Sequence, residues 1–199
     1  MRRVLLALAL TAAVTLGLAA PASAQTTGPL QPVPTDLGQY LGEWDQLAAI
    51  PAFFDVFCLR DTRAVYTPGP GGTVGVRNTC SGPFGFQIPI EGRAKVNDTV
   101  TNGGLQVSFV QLFGRFFYFG GTNYVIAAHD PEYTWALVGD PDRRTGFVLS
   151  RTPAFTTEQW QTAFDAIVAA GYDPCRFLTT RTTGGLGTKA PLCAPPVTT

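Results

Sequence analysis

Between Glu43 and Arg151 the chain repeats one pattern: short runs of alternating apolar and polar residues, each closed by Gly, Pro, Asn or Asp. A period of two is the side-chain period of a β-strand, and turn residues every few positions leave no room for crossover helices. Strands joined by such short links pair antiparallel. The runs fall at 43–50, 59–67, 73–80, 89–96, 104–111, 116–120, 123–128, 133–139 and 146–151; 116–120 is either separate or the top of 123–128. About eight strands result. One helical pattern follows them. Thr156 is its expected N-cap, Gln159 completes a capping box, and Phe155 and Trp160 stand at the positions of a hydrophobic staple. Trp160, Ala163, Phe164, Ile167 and Val168 recur at helical spacing, and Gly171 supplies the stop. The expectation is an all-β fold: a closed, eight-stranded antiparallel up-and-down β-barrel with one C-terminal α-helix packed on its side. A barrel of this size has room for one small ligand.

The first residues read as an address. Arg2 and Arg3 precede an apolar run from Val4 to Leu18, and Ala22-Ser23-Ala24 is a small-x-small cleavage site, so residues 1–24 are expected to be a signal peptide. The product would be secreted, or held in the periplasm or cell envelope. No Cys directly follows the apolar run, which argues against a lipidated N-terminus. Residues 25–35 (QTTGPLQPVPT) show no periodicity and are read as a flexible Pro-rich leader. Without Arg2 and Arg3, the 14 basic residues fall to 12 against 14 acidic ones, a formal charge of −2. No basic face follows, and nucleic acid is not an expected partner.

All four cysteines lie in the exported part, where oxidising conditions favour disulfides. Thr67-Pro68-Gly69-Pro70-Gly71-Gly72 is a turn, and Cys58 and Cys80 each lie 11 residues from Gly69. A hairpin folded there sets Cys58 opposite Cys80, Ala64 opposite Val74 and Thr62 opposite Val76. Cys175–Cys193 follows by elimination. Each bridge could contribute ~3 kcal/mol by restricting the unfolded chain. The cysteine spacings with a single His do not suggest a metal site, and no cofactor is expected.

Gly42-Glu43-Trp44 matches the G-x-W signature that opens the first strand of lipocalins. The wider stretch Tyr40–Trp44 with Ile50-Pro51 resembles bacterial lipocalins and the apolipoprotein D branch. Trp135–Val138 followed by Leu149-Ser150-Arg151-Thr152-Pro153 is a second matching block. The order holds across about residues 36–178, which is taken as the barrel domain; residues 179–199 would be a tail tied by Cys193. The resemblance implies that Arg151 packs across Trp44 and closes the barrel floor, with Gly42 part of the same signature. A cation over an indole is worth roughly 0.5–2 kcal/mol. The family's T-D-Y motif has no clean copy, and Asp130-Pro131-Glu132-Tyr133 stands in its place. Many bacterial relatives are lipoproteins; membrane anchoring does not carry over without the cysteine.

The two ends of such a barrel differ. Links at one end (Pro68–Gly72, Asn97–Gly104, Asp130–Glu132) are polar. At the other, Pro51–Phe57, Ser81–Ile88 and Gln111–Gly121 hold nine of the 14 Phe, and only Gly139–Thr145 (GDPDRRT) is polar. Parity places Thr62, Ala64 and Tyr66 on one face with Val74, Val76 and Asn78; the resemblance turns that face inward. Leu105, Val107 and Phe109 alternate with polar residues, Tyr133, Trp135 and Leu137 share a face, and Phe147, Leu149 and Arg151 share another. The expected ligand contacts are Thr62, Ala64, Tyr66, Val76, Asn78, Phe109, Phe116, Phe117, Tyr133 and Trp135. Such a cavity suits a hydrocarbon body with one polar end, as in a fatty acid or lysophospholipid. Burying a 14-carbon chain yields ~11 kcal/mol at ~0.8 per CH₂. Association takes back at least ~4 kcal/mol, which leaves micromolar or tighter binding.

No catalytic site is expected. His129 is the single His, beside Asp130 at a strand end, and reads as solvent-facing; no GxSxG elbow accompanies it. The reading is a carrier of a small hydrophobic or amphipathic ligand, with peripheral membrane contact as a further partner. The alternative is a module that docks a membrane, polymer or protein through the Phe-rich loops and carries nothing.

Overall fold

The computed structural model describes residues 28–193; the expected signal peptide at 1–24, residues 25–27 and residues 194–199 lie outside them. A short helix α1 (Leu37–Tyr40) precedes β1 (Gly42–Ala49), β2 (Arg60–Pro68), β3 (Val74–Ser81), β4 (Gln87–Val96), β5 (Gly104–Ser108), β6 (Gln111–Leu112), β7 (Arg115–Phe116), β8 (Tyr124–His129), β9 (Trp135–Gly139) and β10 (Gly146–Ser150). Helix α2 (Thr157–Ala169) and strand β11 (Leu178–Thr179) follow. The sheet order is β10-β9-β8-β5-β4-β3-β2-β1, and β1 pairs back onto β10, so eight antiparallel strands close into a barrel. β6 and β7 form a separate two-stranded hairpin, so 116–120 is not the top of β8.

The hydrophobic side chains separate into two cores. Tyr40, Trp44, Ala64, Tyr66, Val74, Val76, Leu105 and Leu149 fill the barrel interior. Leu47, Val125, Trp135, Leu137, Val148 and Phe177 face outward and are covered by Ala163 and Ile167 of α2. A bulge between Gln46 and Ala48 lets β1 serve both cores. The α2 start is as expected: Thr156 and Gln159 form a reciprocal capping box, and Phe155 meets Trp160 at 5.1 Å between ring centroids. Its buried face is rotated from the expectation. Ala163 and Ile167 are buried with Ala166 and Ala170 beside them, while Val168 is exposed.

The β2–β3 register is shifted by four residues from the expected one, which moves the turn centre by two. Ala64 stands opposite Asn78, Tyr66 opposite Val76 and Pro68 opposite Val74. The turn centres on Gly71 and not Gly69, because Gly71 and Gly72 take positive φ (65° and 73°) that other residues resist. A shift by an even number of residues conserves parity, so the inward face is unchanged. Cys58 and Cys80 are nonetheless bonded, as are Cys175 and Cys193. β2 is irregular between Arg60 and Arg63, which takes up one residue of the difference, and Cys58 lies before the first ladder pair of β2, where the strand register no longer binds it.

Residues 28–35 are not a free leader. Leu30, Val33 and Thr35 donate backbone hydrogen bonds to Pro141, Ile126 and Thr101, and Leu30 is buried in the outer core. Pro29, Pro32 and Pro34 have no N–H of their own and hold the strap extended between these anchor points. The tail is likewise part of the barrel. β11 pairs with Ala48 and Ala49 on the side of β1 that β2 leaves vacant, and Asp61 accepts from the Thr183 backbone at 2.6 Å.

Candidate ligand site

The barrel is closed at one end and open at the other. At the closed end the Arg151 guanidinium carbon lies 3.7 Å from the Trp44 ring centroid. Arg151 donates to the carbonyls of Glu43 (2.7 Å), Gln39 (2.8 Å), Leu41 (2.9 Å) and Tyr133 (3.2 Å), and Trp44 Nε1 donates to the Tyr40 carbonyl at 2.8 Å. Gly42 sits at φ 103°, where a Cβ would stand 3.2 Å from Arg151 Nη1. The signature residues therefore form a plug. With its donors spent on fixed carbonyls, Arg151 has a positioning role and no chemistry to perform.

Above the plug lies a layer of tyrosines. The Tyr124 hydroxyl shares hydrogen bonds with Tyr40 (2.7 Å) and Tyr66 (2.8 Å), and the Tyr40 and Tyr66 rings stack at 5.5 Å. Burial pushes all three phenols up, Tyr66 to about 12. The space between this layer, Leu37, Val74, Val76 and Leu105 amounts to about 10 Å³, room for one water at most. The lower half of the barrel is thus filled by its own side chains.

The upper half is different. Strand alternation places Ile88, Ile90 and Gly92 on the same inward face of β4 as buried Ala94. Yet Ile88 is 38 % exposed, Ile90 50 % and Phe109, at the end of β5, 41 %. Inward apolar side chains left open to solvent describe a cup. Gly92 belongs to it: a Cβ there would meet the Phe109 ring at 2.6 Å. Asn78 also faces inward, and its buried Oδ1 has no hydrogen-bond partner among the described residues. A second concavity of about 210 Å³ lies outside the barrel, where Asp45, Arg63, Thr79 and Ser81 meet Thr182 and Thr183 of the tail. Its lining is polar, with Arg63 of β2 paired to Asp45 of β1 at 3.0 Å.

The links at the open end are those rich in Phe. Phe57, Phe84, Phe86, Phe113 and Phe119 are all exposed. The segment after β7 runs beside β5 without a regular ladder. Ser108 Oγ donates to the Phe117 carbonyl, and the Asn123 side-chain amide bonds both N–H and C=O of Val107.

The sequence-predicted contact residues divide among these regions. Ala64, Tyr66 and Val76 are buried in the packed lower half, and Thr62 and Asn78 are half-buried on the inward face. Phe109 stands on the cup wall. Phe116 lies away from the opening, with the Arg93 guanidinium 5.3 Å from its ring, and Phe117 is partly exposed beside β5. Tyr133 does not share a face with Trp135. It sits before β9 at φ 54°, in the floor, and its hydroxyl accepts from the Asp36 N–H at 2.7 Å. Trp135 faces the outer core and is no part of the interior. His129 is half-buried, not solvent-facing: it stacks on Tyr133 at 4.2 Å, and its ring nitrogens meet the carbonyls of Asp130 and Pro34. Sequence reading missed Ile88 and Ile90, although strand alternation from Ala94 would have found them.

Comparison with known proteins agrees with this geometry. Residues 35–182 match the model of a lipocalin-like domain. Temperature-induced lipocalin-1 of Arabidopsis thaliana is 35% identical over 139 residues, covering 68% of this chain and 73% of that protein. Outer membrane lipoprotein Blc of Escherichia coli (strain K12) is 34% identical over 144 residues, covering 72% and 77%. Among solved structures, insecticyanin from the tobacco hornworm Manduca sexta superposes with a TM-score of 0.59 at 17% identity, covering 82% of this chain and 92% of that one, a likeness of fold.

Proposed function

The chain belongs to the lipocalin family of ligand-binding carriers, and on that footing we propose that it is an exported carrier of an amphipathic lipid such as a fatty acid or lysophospholipid. The observation that carries this reading is the cup: Ile88, Ile90 and Phe109 face inward but remain open, while every layer beneath them is packed. Inward apolar area exposed to water is unfavourable at about 25 cal/mol per Å², and a hydrocarbon body covers it. The packed tyrosine layer sets the depth, so the ligand occupies the upper half only. Its polar end points outward or meets the Asn78 Oδ1 through an O–H or N–H. Two disulfides fit an oxidising compartment, and the leader fits export to the envelope or beyond.

Native mass spectrometry of protein purified from its own host, followed by organic extraction, tests the proposal. An extra mass that extraction removes identifies the cargo class. A bare protein that also ignores a panel of fatty acids and lysophospholipids overturns the carrier reading.

A further inference from the structure

Two hairpin tips at the open end are built against the backbone's own preference. Phe84 has φ 57° and is followed by Gly85 at 80°; Phe113 has φ 49° and is followed by Gly114 at 74°. Positive φ at both central positions defines a type I′ turn, whose favoured first residue is Asn, Asp or Gly. A bulky residue there is strained. Nothing in the fold compensates: Phe84 is 99 % and Phe113 93 % exposed. Both tips thus spend strain and solvent contact to hold a ring clear of the protein.

We infer that the open end docks on a phospholipid bilayer, with Phe84 and Phe113 inserted among the acyl chains and the mouth of the cup facing the membrane. The backbone of each tip is prepared for an apolar phase, where unpaired N–H and C=O groups are costly. Gly82 donates to Phe86, Phe86 to Pro83, and Pro83 has no N–H; at the other tip Leu112 and Arg115 are ladder partners. The two tips are themselves apolar and nearly uncharged, while the charges of that end gather on the neighbouring link 139–145, where Asp140 and Asp142 balance Arg143 and Arg144. Residues 82–90 carry no charge, and residues 109–121 carry only Arg115. A protein partner would need a separate pocket for each ring and polar groups at about one hydrogen bond per 100–200 Å², which these tips do not offer. A bilayer takes each ring independently. With one charge on the tips and a balanced set on the 139–145 link, docking depends on insertion and not on anionic headgroups.

The test is flotation with phosphatidylcholine vesicles, using protein freed of bound lipid, so that the result is independent of the cargo question. The F84N/F113N double variant places the favoured Asn-Gly pair at both turns, and its melting temperature should equal or exceed that of the wild type. Wild type should float at low and high salt alike, and the variant should lose about a hundredfold in partitioning. Val100→Asp, an exposed site in the Asn97–Gly104 link at the closed end, should float as wild type does. Three results overturn the inference: no flotation of wild type, undiminished flotation of F84N/F113N, or flotation that needs anionic lipid and is abolished by salt. Self-association of wild type that F84N/F113N abolishes would assign the tips to a second copy of the chain instead.

Discussion

The Arg151 guanidinium covers the Trp44 indole at 3.7 Å while its N–H groups hold carbonyls from the α1–β1 segment and from the loop before β9. One side chain thereby fastens both ends of the barrel wall over its floor. Arg151→Lys keeps the charge but loses the planar fork that reaches several carbonyls together. It should lower stability by about 2–3 kcal/mol, read as a lower urea midpoint with an unchanged slope.

The tyrosine layer makes a second prediction. Tyr124 is the shared partner of Tyr40 and Tyr66. Tyr124→Phe removes both hydrogen bonds and leaves two buried hydroxyls to find partners elsewhere, a loss of about 1–3 kcal/mol in denaturant unfolding. Tyr66→Phe removes only one and should cost less.

The same layer sets an alkaline limit. Burial raises Tyr66 from 10.0 to about 12 and Tyr40 and Tyr124 well above 10. The folded protein keeps these protons where the unfolded chain releases them, so stability is intact below pH 10 and falls as pH rises toward 12. Phenolate absorbance should show these tyrosines ionising late, together with loss of near-ultraviolet circular dichroism.

The tail disulfide closes 18 residues that include β11. Replacing Cys175 and Cys193 by Ser should cost about 3 kcal/mol. Trypsin should then cut after Arg181 and Lys189 well before the barrel is digested.

Ile90 is half-exposed on the cup wall, so Ile90→Asp should change stability by no more than about 0.5 kcal/mol. Affinity for a bound fatty acid should fall about tenfold or more, because a carboxylate would be buried against the hydrocarbon. Titration calorimetry and thermal melting on one preparation separate the two effects.

Much of this architecture is local in origin. The period-two runs and the Thr156–Gln159 capping box are properties of neighbouring residues and could be read directly; the turn before β3 was legible too, but its centre lies at Gly71 and not at Gly69. The inward parity of Ala64, Tyr66, Val74 and Val76 could be read as well, since a register slip of four leaves it intact. Trp135 and Tyr133 were misassigned because parity fails where the chain leaves the strand: Tyr133 precedes β9 in a left-handed turn.

By itself the sequence determined the strand count, the helix and its cap, and the concentration of Phe at one end; both disulfides pair as read, although the register used to derive Cys58–Cys80 differs from the one the fold adopts. Periodicity and turn chemistry act over a few residues, and a single chain carries them whole. Only the tertiary structure decided where the barrel is full and where it is empty. Whether Tyr40, Tyr66 and Tyr124 meet, whether Ile88 and Ile90 stay open, and where the 28–35 strap and β11 lie depend on side chains far apart in sequence competing for one volume. That competition has no period along the chain, and its outcome fixes the depth of the cup.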